Sequence, residues 1–158
     1  RRNYSMALDK ENRSRDYLFG RLLAVAEELE NMALRMAKEE RATNAERYMQ
    51  RFATHPLSTW KQLELSLEPY KNRLRKNYPV KITAKFTLEN PIGFLKNRET
   101  EITELVNALD ELQQNTDCIL DKPLDGEFLL GYHSQKMAYR NKSNAQSMQD
   151  GQNEIEFN

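Results

Sequence analysis

The stretch RDYLFGRLLAVAEELENMALRMA, Arg15 to Ala37, decides the fold. It contains no proline, and Leu18, Leu22, Val25, Leu29, Met32 and Met36 step by four, three, four, three and four. That spacing draws one continuous apolar stripe along a helix. Phe19, Leu23, Ala26 and Ala33 widen the stripe beyond the seam of a two-stranded coil, so several neighbours must pack on it. The expected fold is all-α: a bundle of about five helices, with this helix as its spine.

Working outward, residues 1–14 are polar and charged, an approach segment in which Asp9 and Ser14 are candidate helix caps. The spine is expected to run to about Glu40, where the apolar period stops. Thr43 and Glu46 then form a Thr-x-x-Glu capping box that opens a short second helix, Asn44 to about Thr54, with Ala45, Tyr48, Met49 and Phe52 inward. A third helix starts near Pro56 or Ser58 and carries Trp60, Leu63, Leu67, Tyr70 and Leu74 at helical spacing. Trp60 is expected in the core. Pro69 lies inside this pattern and removes a ladder hydrogen bond, which predicts a kink.

Val80, Ile82, Phe86 and Leu88 alternate as in a strand but have no evident partner, so residues 78–91 read as an extended connector. A fourth helix is expected over 96–114, with Ile102, Leu105, Val106, Leu109 and Leu112 inward. A last one runs from about Asp125 to Arg140, with Phe128, Tyr132, Gln135 and Tyr139 on one face. The domain therefore spans 15–140, and 141–158 is a tail rich in Asn, Gln and Ser, too polar to fold by itself.

Two glycines stand out. Asp16-Tyr17-Leu18-Phe19-Gly20 in the first helix is echoed by Glu127-Phe128-Leu129-Leu130-Gly131 in the last. Glycine inside a helix costs about 1 kcal/mol relative to alanine. The economical explanation is that the two helix backbones cross closely at Gly20 and Gly131.

The 24 basic and 24 acidic residues cancel, so only the local distribution of charge can point to a polyanion. Residues 41–80 hold eight Lys or Arg against three Glu; residues 81–121 hold four against eight acids. The single cysteine, Cys118, excludes an internal disulfide and suits a reducing compartment. There is no secretory signal and no apolar run of membrane-spanning length; a cytoplasmic protein is expected. The first residue is Arg1 and the first methionine Met6, which fits a processed product or a piece of a longer chain.

Two histidines, His55 and His133, and one cysteine are too few for a Cys/His zinc cluster. Phe52 and Leu130 stand three positions before the histidines, where a Glu-x-x-His metal motif needs glutamate. Neither a phosphate-cradling glycine loop nor a serine nucleophile elbow occurs. The expectation is a protein without catalytic residues, metal or cofactor.

The basic residues sort by face. Lys61, Glu64, Glu68, Lys71 and Arg75 share a stripe on which opposite charges neutralise one another. By contrast, Arg47 and Arg51 lie one turn apart on a face whose other residues carry no acid. Arg73 and Lys76 emerge beside Gln62 and Ser66, while Lys136 and Arg140, with His133, form a stripe without acids on the last helix. These six cations are the candidate nucleic-acid-binding residues, as contacts to phosphates rather than bases.

Three segments, RDYLFGRLLAVAEELE from Arg15, TNAERYMQRFATHPLSTW from Thr43 and LDGEFLLGYHSQK from Leu124, together resemble the C-terminal helical region of the large subunit of the type I-C CRISPR surveillance complex, Cascade. The resemblance spans most of 15–140; residues 78–100 depart from it and the tail lies outside. It implies a region that is also made as a separate small subunit, non-enzymatic and present in several copies. Its implied partners are guide RNA, target and displaced DNA, and other Cascade subunits including copies of itself and the large and backbone subunits. Specificity in such a complex comes from guide pairing, while protein contacts to phosphate are blind to sequence. A helical scaffold making only protein contacts within an assembly is the alternative.

Overall fold

The computed structural model describes the backbone of residues 7–157 and the side chains of residues 7–142. Among these the order is α1 (Arg15–Met36), α2 (Asn44–Arg47), α3 (Met49–Thr54), α4 (Pro56–Ser66), α5 (Glu68–Arg75), β1 (Val80–Lys81), β2 (Thr87–Leu88), α6 (Pro91–Asn115) and α7 (Gly126–Phe157). The protein is all-α with one small hairpin. The second and third expected helices are each broken in two. Tyr48 divides α2 from α3, and Leu67 divides α4 from α5 two residues before Pro69, which sits in the first turn of α5 where its missing N–H costs nothing.

α1 is the spine. It packs on α7 most extensively and also on α6, α5, α4, α2 and β1, so its core face is wider than a stripe: every residue from Arg15 to Glu27 is buried. Trp60, Leu63 and Leu67 are buried in the same core, as are Phe128, Tyr132, Gln135 and Tyr139 of α7. The glycine echo marks a close crossing. A Cβ on Gly20 would overlap the carbonyl oxygen of Phe128 and stand 2.7 Å from the Tyr132 nitrogen; one on Gly131 would overlap the carbonyl oxygen of Tyr17.

Buried polar groups fasten the bundle. Ser14 caps α1. Arg15 donates to the carbonyls of Leu120, Lys122 and Pro123 at 3.0, 2.6 and 2.8 Å, clasping the connection between α6 and α7. Arg21 donates to Gln135 at 2.9 Å, its guanidinium pKa lowered chiefly by burial. At the start of α2 the expected capping box is present. The fully buried Glu30 of α1 adds to it by accepting from the backbone N–H groups of Asn44 and Ala45 at 3.0 and 2.9 Å. The first three donors of α2 are thus all satisfied.

Three expectations change. Residues 78–91 are not a connector without a strand partner: Val80 pairs with Leu88 and Lys81 with Thr87, antiparallel, so the stretch is its own partner. The backbone of α7 continues past Arg140 to Phe157; the side chains of the polar tail from 143 lie outside the described residues, as do residues 1–6 of the N-terminal segment. Finally, α1 stops at Met36 rather than near Glu40. Lys38 adopts φ 58°, and the Lys38 and Glu39 amides bond back to Arg35 and Leu34 in a Schellman turn.

A side chain at that left-handed position is strained, so Lys38→Gly is expected to stabilise the fold by about 0.5–1 kcal/mol and raise the melting temperature by about 1–4 °C. Asn77, at φ 62°, is the contrast. Its side chain accepts from the Ile92 amide at 3.0 Å, so glycine there forfeits a bond and should show no such gain.

Candidate nucleic-acid interface

α2 and α3 form a corner stapled to the core by Ala45 and Phe52, which turns Arg47 and Arg51 outward. Arg47 donates to the Ala42 carbonyl at 3.2 Å. Arg51 donates to Gln62 of α4, and its guanidinium lies 4.7 Å from the Tyr48 ring centroid. Neither is within ion-pair distance of a carboxylate among the described residues. Both charges are therefore uncompensated and held against neutral groups on short, anchored helices.

Lys76, at the end of α5, is also exposed and without an ion pair among the described residues. Arg73 differs. Its own helix face carries no acid beside it, but Glu39, placed by the reversal at Lys38, lies 3.2 Å away. Arg41 shares that carboxylate at 3.5 Å and donates to the Tyr70 hydroxyl at 2.6 Å. The Arg41 and Arg73 guanidiniums each lie 5.6 Å from the Tyr70 ring, so two cations flank one ring with one carboxylate between them. One positive charge is left over.

The stripe on α7 is corrected in the same way. Lys136 pairs with Glu27 of α1 at 2.8 Å, and the Tyr132 hydroxyl donates to the same carboxylate. Glu27 is almost fully buried, and a buried carboxylate needs such partners. The Tyr132 hydroxyl is in turn held far above its ordinary pKa, by burial first and then by Glu27. Lys136 is thus spent on the fold, whereas Arg140 is exposed, has no ion-pair partner among the described residues, and meets Met137 at 3.9 Å. His133 is exposed beside Tyr132, and His55 precedes α4 next to Thr54.

Beyond Arg140 lies a groove that sequence reasoning missed. α1, the hairpin and α7 enclose a cavity of about 360 Å³ whose lining includes Arg35, Thr83 and Arg140. A second, of about 330 Å³, adjoins it and reaches Phe86, Phe94, Arg98 and Lys142. The two share Glu28, Met32, Ile82 and Tyr139 and so form one groove. Arg98 is held between the Phe94 and Tyr139 rings at 5.1 and 4.5 Å, and 2.9 Å from Glu101. Burial raises the Glu28 carboxyl pKa, against the pull of Arg98, Arg35 and Lys136. The signal lay in the alternation around Phe86, which has meaning only once the hairpin folds onto α1.

Among the described residues, no group of three or more His, Cys, Asp or Glu side chains is placed to hold a metal ion, and no helix is long and apolar enough to cross a membrane. No curated protein matches the chain. Residues 1–140 match the family described as CRISPR-associated protein (Cas_Csd1). With nearly nine-tenths of its length inside that match, from the approach segment to Arg140, the chain belongs to the Cas_Csd1 family of CRISPR-associated proteins.

Proposed function

We propose that this chain is a non-catalytic component of a type I-C Cascade complex in the cytoplasm. It acts either as the separate small subunit or as the C-terminal part of the large subunit, and stabilises guide RNA–target DNA pairing and the displaced DNA strand in antiviral defence. Its partners in this role are guide RNA, both DNA strands, the large and backbone subunits and further copies of itself. The observation that carries the reading is the uncompensated Arg47 and Arg51 pair on an anchored corner of a Cas_Csd1-family chain. The break at Tyr48 puts the two guanidiniums on successive helices, α2 and α3, rather than one turn apart on a single helix. Both exposed, they can engage neighbouring phosphates, and anchored placement lowers the entropy lost on binding. Lys76 and Arg140 extend the exposed positive charge, while Arg73 shares its charge with Glu39 and Lys136 is taken up by Glu27.

The test is DNA binding by an Arg47→Ala/Arg51→Ala complex that assembles with normal stoichiometry. Affinity is expected to fall alike for all sequences, and the salt slope by roughly one per lost phosphate contact on duplex and somewhat less on single strands. Thermal stability should hardly move, since exposed charges contribute little to folding. Unchanged affinity and salt slope would remove this face from the DNA path. Failure of assembly would favour the scaffold reading, with the same arginines gripping a protein neighbour.

A further inference from the structure

We infer that the groove between α1, the hairpin and α7 receives a single-stranded nucleic acid, with a base against Phe86 and the backbone phosphates along Arg35, Arg140 and Lys142. The inference rests on the nucleic-acid role proposed above but concerns a surface away from the α2–α3 corner, with Arg140 the one residue common to both. Arg35, Arg140 and Lys142 come from two helices, all are exposed, and none has an ion-pair partner among the described residues. Arg35 and Arg140 line the first cavity, and Lys142 lines the adjoining one, whose wall includes the half-buried Phe86 ring. Ordinary solvated cations stand on convex helix faces over water. Here cationic side chains line the same recess as an apolar ring, the pairing that single-strand binders use to hold phosphate and base together. Each cavity is large enough to admit a small ligand group.

Polarity argues for an anion. Glu27 is already neutralised by Lys136, and Arg98 by Glu101, which leaves three cations against the one carboxylate of Glu28. That carboxylate sits where the two cavities join, so it opposes a polyanion and sets how tightly the groove holds one. An acidic peptide would satisfy the cations but brings a flat ring to Phe86 only where it carries an aromatic side chain, whereas a single-stranded nucleic acid brings one beside every phosphate.

The experiment measures binding of the full chain to labelled oligothymidylate by fluorescence anisotropy, with an abasic deoxyribose-phosphate oligomer and poly-glutamate as competitors. Circular dichroism checks that each variant stays folded. Phe86→Leu, which keeps the apolar packing and removes the ring, is expected to weaken oligothymidylate about tenfold and leave the abasic oligomer unchanged. Arg35→Glu/Arg140→Glu should abolish binding of both, and Glu28→Gln should tighten both severalfold. If these variants bind like the parent while Arg47→Ala/Arg51→Ala does not, the groove assignment is wrong and the corner alone serves the proposed function. If poly-glutamate competes as well as oligothymidylate and Phe86→Leu changes neither, the groove is a peptide site. A parent chain that binds no oligonucleotide overturns the groove and removes support from the wider reading.

Discussion

Gly20→Ala and Gly131→Ala are each expected to destabilise the domain by about 3 kcal/mol or more, lowering the melting temperature by about 6–12 °C. A single methyl suffices because what it meets is backbone. At Gly20 the obstacles are the Phe128 carbonyl and the Tyr132 nitrogen; at Gly131 it is the Tyr17 carbonyl. A side chain can rotate away, but these groups belong to helical ladders, so relief requires α1 and α7 to separate. That movement would loosen the Arg21–Gln135 and Tyr132–Glu27 bonds beside the crossing. Gly126→Ala is the control. Nothing lies within 4 Å of a Cβ there, and the change should stay within about 0.5 kcal/mol. Equal melting temperatures for all three variants would show that the crossing tolerates a methyl.

Glu30→Ala is expected to cost about 2–4 kcal/mol, since it deletes two charge-assisted hydrogen bonds and strands the backbone donors of Asn44 and Ala45. Hydrogen exchange is the direct readout: those two amides should lose protection while α7 keeps its own. Glu30→Gln should cost less, because one amide oxygen still accepts. The pH dependence has a definite sign. Burial raises the Glu30 carboxyl above its ordinary 4.5, although the Ala45 and Asn44 amides pull the other way. The folded state therefore takes up the proton first, and this group's contribution favours folding as pH falls through the folded pKa toward 4.5. Relative to Glu30→Gln, the parent should gain stability over that interval; a parallel pH profile would contradict the assignment.

What could be read in the sequence was local. The period of α1, the Thr43–Glu46 box and the glycine echo are each written within a few turns of helix, and the structure realises all three. Glu30 was not legible as a cap, because its partners belong to another helix. The same limit governs the candidate site. Arg73 and Lys136 looked unopposed on their own helices, yet their carboxylates come from the turn after α1 and from α1 itself. Arg47 and Arg51 kept their free faces because their anchored corner meets neutral groups, Gln62 and Tyr48. The groove exists only after the hairpin closes on itself, and two-residue strands leave too short a pattern to announce a partner.

The clasp between Arg15 and the Leu120–Pro123 carbonyls bears on how the chain comes to be folded. It joins residues 105 or more positions apart, and the Arg21–Gln135 bond spans 114. A nascent chain that has released α1 through α6 still lacks the helix that packs most extensively on α1. During synthesis that element is a sticky surface awaiting a cover. Non-local closure also slows folding relative to bundles whose neighbours are consecutive. Ribosome-arrested chains ending before α7 should accordingly be captured by holdase chaperones and cut readily by protease, and chains extending past Tyr139 should escape both.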